Sequence, residues 1–531
     1  MGKAISWVGL VLAACLSFPA LADPLVELPG PADASDSDAD PGLSRRVEGF
    51  QLEGNSLIPS DELQAILKPY CGRELTLTQM KEAARDLTAH YHRKGFMLVK
   101  AYVPKQAFDS SDVRLKVLEG KFGQVEVQGA EHYDPAWIQE RFLASYKDGA
   151  LRRDDFIQSL MLLNEFGDLK VKANLRPGKE PGTVDALLKV EDDQPLHFGL
   201  DYNNYGTQAT GANRVGLNFD AGNIWGQGDQ FALRGVIGFP SSNTNFFQAS
   251  YATPVGLEGT QLSAMYQNGA FTVSQGLGAI LDIRGRADVY TLAVSHPLDR
   301  AFDHSSNLGF AVSHKNVTND FFGGAVPFTR DRYTTARLTY QEDWLSVSGR
   351  TILQTSWTQG LGGTASSDPL VSRNGASGGF GKLNLELGRV QNLQPGLYGV
   401  LRGSAQFATQ PLYLAEQFAV GGPDTVRGFA QAELLGDEGY VVSAELRWSP
   451  IEDEPDRFQM AFFVDHGGVS LKRAGPGDLP RGSKLTGAGL GFRLGLGAAS
   501  TARVDIGFPL SPASNSINAS PAVYCGVQTR F

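Results

Sequence analysis

From residue 195 onward the chain alternates between apolar and polar positions. Val215, Leu217 and Phe219 are apolar, with Arg214, Gly216, Asn218 and Asp220 between and around them. The same period of two runs through Leu383, Leu385 and Leu387, through Val442, Ala444, Leu446 and Trp448, and through Ala488, Leu490, Phe492 and Leu494. Such a period describes strands with one apolar and one polar face. Turn-forming clusters, Ser241-Ser242-Asn243 and Gly475-Pro476-Gly477-Asp478 among them, separate the runs. A soluble sandwich would hide its apolar faces against each other. Here charges recur on the opposite face, as a water-filled lumen requires, so residues 195–531 are predicted to form a transmembrane β-barrel of about 16 antiparallel strands. A barrel that wide encloses a channel rather than a packed core.

Residues 46–193 carry a different pattern, and it occurs twice. Phe50-Gln51-Leu52-Glu53-Gly54 followed by Ile58-Pro59 is echoed by Val125-Glu126-Val127-Gln128-Gly129 followed by Asp134-Pro135. Each copy reads as a short strand ended by glycine, two helices and two further strands. In the first copy Ser60 is expected to cap a short helix containing Leu63, Ile66 and Leu67. A longer helix follows with Met80, Ala84, Leu87 and Tyr91 on one face and Gly95 at its C-terminal end. The expected boundaries are 46–120 and 121–193, two small α+β modules. A sheet of this kind can leave an edge open to an added strand, or can serve as a spacer with its edges covered.

Composition separates the same two regions. Of 62 glycines, 15 precede residue 195 and 47 follow it, whereas 13 lysines precede it and 4 follow it. The net charge of −10, from 47 basic and 57 acidic side chains, and a pI near 5.4 argue against a nucleic-acid partner. Residues 1–22 read as a signal peptide, with Lys3, an apolar run from Ile5 to Leu16 and Ala20-Leu21-Ala22 at the cleavage site. Leu12-Ala13-Ala14-Cys15 offers a rival lipoprotein reading. Residues 23–45, rich in Asp and Pro, are expected to be a flexible segment. After cleavage only Cys71 and Cys525 remain, far apart, with no disulfide expected.

Two segments go beyond alternation. One is Glu416-Gln417-Phe418-Ala419-Val420-Gly421-Gly422-Pro423-Asp424-Thr425-Val426-Arg427-Gly428-Phe429, followed by Gly436-Asp437-Glu438-Gly439-Tyr440. The other is Phe463-Val464-Asp465-His466-Gly467. With the duplicated module and an aromatic C-terminus, Phe531, the chain closely resembles the two-partner secretion transporters (TpsB family), haemolysin secretion/activation proteins of the outer-membrane barrel assembly superfamily. The resemblance implies two periplasmic POTRA domains and a 16-strand barrel. It also implies an in-folded loop around 416–440, whose tip is Val426, Arg427, Gly428 and Phe429, and a barrel-wall motif of Phe463, Asp465 and Gly467. Phe429 stands where the family usually has Tyr, so a hydroxyl is lost there. Phe531 would be the signal read by the barrel assembly machinery. The implied partner is a secreted TpsA-type exoprotein of the haemolysin, adhesin or toxin class, with outer-membrane lipid around the barrel.

Strand parity bears on one of these residues without the resemblance. Phe458, Met460, Phe462 and Val464 share the apolar face, so Asp465 points into the lumen with Gln459, Ala461 and Phe463. A loop arginine entering the lumen could pair with it through charge-assisted hydrogen bonds. No catalytic residues, cofactor or metal site are expected. Gly375-Ala376-Ser377-Gly378-Gly379 matches G-x-S-x-G but lies in a Gly/Ser loop rather than between strand and helix, and His90 and His92 fall on different faces of a helix. The alternatives are a barrel-insertion factor of the same superfamily, or a passive porin, which would have no use for the duplicated modules.

Overall fold

The computed structural model describes residues 44–106, 111–146, 150–180, 182–239, 243–301, 303–451, 454–474, 482–497, 499–512 and 521–531. The proposed signal peptide, the rival site at Cys15, nearly all of the Asp/Pro-rich segment and most of the two turn clusters named above lie outside the described residues. The chain divides into two compact units, one ending at Gln194 and one running from Pro195 to Phe531.

In the first unit one fold occurs twice. Strand Gly49–Glu53 runs parallel to Asp112–Glu119, which also pairs antiparallel with Val99–Tyr102. Helices Ser60–Leu67 and Leu77–Arg93 cover one face. The second copy repeats this with strands Lys121–Gln128, Thr183–Asp192 and Leu169–Pro177 and helices Pro135–Leu143 and Arg153–Asn164. Leu63, Leu67, Leu87, Tyr91 and Leu115 fill the first core; Ile138, Phe142, Leu163, Val184 and Leu188 fill the second. Gly54 and Gly129, 75 residues apart, both have positive φ (87° and 93°), and a Cβ on either would overlap the carbonyl oxygen of the central strand, Val117 or Val190. Beyond each glycine the turn is gripped by a carboxylate: Glu119 accepts from the amides of Ser56 and Leu57, and Asp192 from those of Glu131, His132 and Tyr133.

One local expectation fails. Ser60 does not cap its helix; Pro59 occupies that position, and the Ser60 hydroxyl accepts from Asn55 instead. Proline's fixed φ, −56° here, already sets the entry, so no side-chain cap is used. The next helix does have a capping box, between Thr76 and Gln79.

The second unit is a closed barrel of 16 strands, from Leu196–Asn203 to Ala522–Arg530. Each pairs antiparallel with its neighbours, and the last closes on the first from Gly526↔Asn203 to Arg530↔Gly199. Its outer face is apolar and bare: Leu217, Leu292, Phe310, Leu338, Phe462 and Val464 are all exposed. Leaving so much apolar surface open all round is stable only in lipid. Connections at the end holding Leu196 and Phe531 are mostly short, such as 256–259, 347–348 and 395–396; those at the other end include 364–380 and 409–437.

Candidate functional site

Segment 409–437 leaves strand Leu397–Ala408, enters the lumen and returns to strand Glu438–Trp448. Within it Phe418–Val420 pairs antiparallel with Leu434–Gly436. The hairpin continues through Gly421 and Gly422, both at positive φ (111° and 108°), conformations that β-carbon sterics deny to most residues. The Thr425 hydroxyl accepts the Gly421 amide at 2.9 Å, and the Gly422 amide donates to the Val426 carbonyl at 3.1 Å. This tight tip presents Arg427 to the wall.

Arg427 is only 2% exposed. Its Nε donates to Asp465 Oδ2 at 2.7 Å and its Nη2 to Asp465 Oδ1 at 2.9 Å, the two-pronged geometry in which a guanidinium matches a carboxylate. Its backbone amide donates to the same Oδ2 at 3.1 Å. Nη1 donates to Glu445 Oε2 at 3.1 Å and stands 3.8 Å from Asp505 Oδ1, while the guanidinium lies over the Phe463 ring, 3.3 Å from its centroid. The carboxylates also have wall arginines. Glu445 accepts from Arg447 and Arg493, and Asp505 from Arg493 and Arg503. Among the described residues Asp465 has no cation besides Arg427; it also accepts from the Ser443 hydroxyl at 2.6 Å.

The rest of the tip is seated by shape. Val426 and Phe429 pack in an apolar cluster with Val420, Leu434, Val441, Val469 and Leu485. The Phe429 ring sits among aliphatic side chains, and the polar contact at that residue is its carbonyl, which accepts from the Tyr524 hydroxyl at 2.6 Å. Tyr524 in turn accepts the Gly428 amide at 3.1 Å. Gly428 has φ 102°, and any Cβ there would stand 3.0 Å from the backbone of Phe508 and Pro509. Gly467 is crowded from both sides: its Cβ would come 2.8 Å from the Tyr440 carbonyl and 2.9 Å from Val441 on the neighbouring strand, and 3.0 Å from Val420 on the loop.

Two carboxylates fasten the loop's ends. Glu416, 2% exposed, accepts from Lys315, from Lys382 at 2.8 Å and from the Tyr333 hydroxyl at 2.8 Å, three residues of the wall. Asp437, fully buried, accepts from Arg373 on the neighbouring loop and from the amides of Leu412 (2.9 Å) and Lys472 (2.7 Å). Loop 364–380 lies against this end: Phe380 and Ala376 pack with Tyr333, Leu412 and Tyr413, and Ser377 accepts from Gln410 at 2.7 Å. The G-x-S-x-G serine is thus part of a packed loop.

The structure brings Val426, Arg427, Gly428 and Phe429 together with Phe463, Asp465 and Gly467. Phe531 is elsewhere, at the closing seam, where its amide and carbonyl pair with Phe198 (2.7 and 3.2 Å) and its side chain is exposed. Residues to which sequence reasoning gave no role are Glu445, Asp505, Tyr524 and Ser443 on the wall, and Glu416 and Asp437, which it quoted only as part of the loop segment. Parity carried a usable signal for Ser443 and Glu445, which fall on the polar side of the run Val442 to Trp448.

A closed barrel with an apolar outside and a charged lumen, following two soluble α+β modules, defines an outer-membrane β-barrel with a periplasmic portion. The chain belongs to the haemolysin secretion/activation protein family ShlB/FhaC/HecB, which matches residues 182–494; the ShlB-type POTRA domain matches residues 46–120. This is a family of two-partner secretion transporters of the outer membrane. Among its relatives are the heme/hemopexin transporter protein HuxB of Haemophilus influenzae, 21% identical over 76% of this chain and 73% of the relative, and the outer membrane transporter CdiB of Escherichia coli, 20% identical over 80% and 72%. The solved structure of CdiB from Escherichia coli superposes with a TM-score of 0.76 at 20% identity, covering 96% of this chain and 94% of that one. CdiB from Acinetobacter baumannii gives 0.72 at 18% identity, covering 99% and 96%. At such identities the superpositions speak for the fold.

Proposed function

We propose that this transporter recognises an unfolded exoprotein in the periplasm through its two POTRA modules and passes it through the barrel to the cell surface, with the tip carrying Arg427 withdrawing from the lumen to let it through. The client is a TpsA-type protein of the haemolysin, adhesin or toxin class. No nucleotide is consumed, and folding of the emerging client outside the cell supplies the direction. Phe531 acts earlier, as the signal by which the barrel machinery inserts the protein.

The observation that carries this reading is the seat of Arg427. Sixteen strands are enough to enclose an aqueous channel, and here a loop tip is held across it by one cation shared among Asp465, Glu445 and Asp505. A passive pore has no need for a removable obstruction with a polar, hydrogen-bonded seat. Deleting residues 46–193 tests the division of labour: the barrel should still insert into the outer membrane while secretion is abolished. Normal secretion from that deletion would sink the capture reading. Replacing Arg427 by Ala should raise pore conductance, and unchanged conductance together with unchanged secretion would remove the role given to the loop.

A further inference from the structure

Strand Gly381–Gln394 puts an arginine on the lipid face of the barrel. Leu387 is exposed on that face, and Arg389, two residues on, shares its direction. A cation there is unfavourable in hydrocarbon and becomes favourable at the depth of the lipid phosphates. Arg389 is held at such a depth. Its Nη1 donates to Thr351 Oγ1 at 2.7 Å and its Nε to Gln391 Oε1 at 3.1 Å; its Nη2 donates to Gln391 and, at 3.3 Å, to the Ser348 hydroxyl in the short connection 347–348. Trp344 stands two strands away on the same register row, and an exposed Trp448 ends strand Glu438–Trp448, as in the aromatic girdle of a membrane interface. This short-connection end is where strand Leu196–Asn203 follows on from the periplasmic modules, so the leaflet beside it is the periplasmic one, built of glycerophospholipid. Among the described residues Arg389 meets only neutral oxygens and no carboxylate.

From Arg389 the row continues through Leu401, Ala444, Val464 and Ala488, each the register partner of the one before. Barrel strands are tilted by about 35–45°, so a row at constant register is inclined to the membrane plane. This one climbs away from the short-connection end: Thr351 is two residues from that end of Gly349–Gly363, and Ala488 is seven residues from that end of Ser483–Gly495. Along the climb the outer wall is hollowed. Gly399, Ala444 and Ala488 make the floor, Leu401, Leu446 and Phe462 stand up beside them, and Arg389 and Gln391 close the lower end. The hollow has a volume of about 710 Å³, the size of a small-ligand site. Gly399 is not demanded by the fold, because a Cβ there would meet only the Leu393 side chain, at 3.9 Å. What its missing side chain supplies is room.

We propose that this hollow binds one glycerophospholipid of the periplasmic leaflet, with its phosphate on Arg389 and an acyl chain along the row towards Ala488. A guanidinium can meet a phosphate with two N–H groups at once. No carboxylate stands beside Arg389 to receive an ammonium, so a net-negative headgroup, phosphatidylglycerol, is preferred to zwitterionic phosphatidylethanolamine. Strands Glu438–Trp448 and Phe458–Ser470 carry Glu445, Phe463 and Asp465 on their inner side, so the lipid lies back to back with the seat of Arg427. The site stands apart from the capture reading and survives its failure.

Native mass spectrometry of the full-length protein tests this, with the protein released from detergent micelles that hold equal amounts of phosphatidylglycerol and phosphatidylethanolamine. The unaltered protein should retain one lipid, with phosphatidylglycerol favoured about fivefold, the worth of one basic side chain at an anionic surface. Arg389→Gln should abolish the preference, and Arg389→Lys, which keeps the charge, should preserve most of it. Gly399→Phe fills the floor without meeting the wall and should cut the retained lipid of either kind about fivefold or more. Heat-modifiable gel mobility verifies that each barrel is closed; if Gly399→Phe does not close, Ala444→Phe fills the same floor from the next strand and is read in its place. No retained lipid or equal retention of the two by the unaltered protein would overturn the proposal. So would an unchanged preference in Arg389→Gln, or undiminished retention by a closed barrel whose floor is filled.

Discussion

Gly487 on the barrel wall faces the Arg427 carbonyl so closely that a single Cβ at that position would overlap the oxygen. Gly507, across the adjoining strand pair, is as tight: its Cβ would lie 2.5 Å from the Gly428 amide nitrogen. These glycines form the recess into which the loop tip fits. Gly487→Ala should therefore leave the barrel intact and unseat the tip. Overpacking of this kind costs about 1–3 kcal/mol, and here it falls on the tip-bound state alone. Single-channel recordings should show a larger or more frequently open conductance, and a wild-type trace would show that the tip does not close the pore.

Arg427 and Asp465 should behave as a unit. Removing one member of a buried ion pair costs about 3–5 kcal/mol because the other is left uncompensated. Arg427→Ala strands Asp465, which has no other cation among the described residues, whereas Glu445 and Asp505 keep their wall arginines. The double change Arg427→Ala with Asp465→Ala should cost less than the sum of the single ones, measured as open probability in a double-mutant cycle. Arg427→Lys should fall between the native protein and Arg427→Ala, since an ammonium keeps the charge and loses the two-pronged fit.

At the loop's base, Glu416→Gln leaves Lys315 and Lys382 beside a neutral amide in a buried site. The loss should be several-fold larger than that for Tyr333→Phe, which removes one hydrogen bond worth about 1 kcal/mol. The temperature at which the barrel loses its compact mobility on detergent gels ranks the two. Equal shifts would mean that Glu416 is held by the hydroxyl and not by the lysines.

The second module should be acid-sensitive through Asp192. Burial alone pushes this carboxyl up, but the amides of His132, Glu131 and Tyr133 outweigh it and hold the group below the ordinary carboxylate value. A lowered folded-state pKa means that the stabilisation is complete above the unfolded value, about 3.9, and is lost as pH falls through and below it. Denaturation of the full-length protein, followed by the near-UV signal of Tyr133 and Trp137, should show the second module weakening below about pH 4. Asp192→Asn should be less stable at neutral pH and flatter in acid. An identical acid profile in that variant would move the sensitivity to another carboxylate.

Much of this architecture could be read from residue order. Parity placed Asp465 in the lumen because a strand offers only two directions, and Phe462 and Val464 claim the other one. The echo of Gly54 at Gly129 marked the duplication because both turns need the same backbone conformation. What the chain did not disclose are pairings that depend on how far the loop returns into the barrel. Glu416 meets Lys315, 101 residues away, and Asp437 meets Arg373, 64 away, and nothing local to either residue specifies its partner. Asp505 and Tyr524 were missed for the same reason, since parity gives a face and not a depth. Ser60 misled because a serine before an apolar helix usually caps it, and the proline beside it made the cap unnecessary.

The fastening of both loop ends by Glu416 and Asp437, with Gly421 and Gly422 flanking the tip, determines what kind of obstruction this is. A stopper has to be expelled and must find its way back. Here the segment is a bight of chain moored at both ends, so a tip withdrawn as proposed would stay within a few residues' reach of its recess. On that reading, resealing behind a client would be a local return, and the barrier against leakage would be restored without a diffusive search.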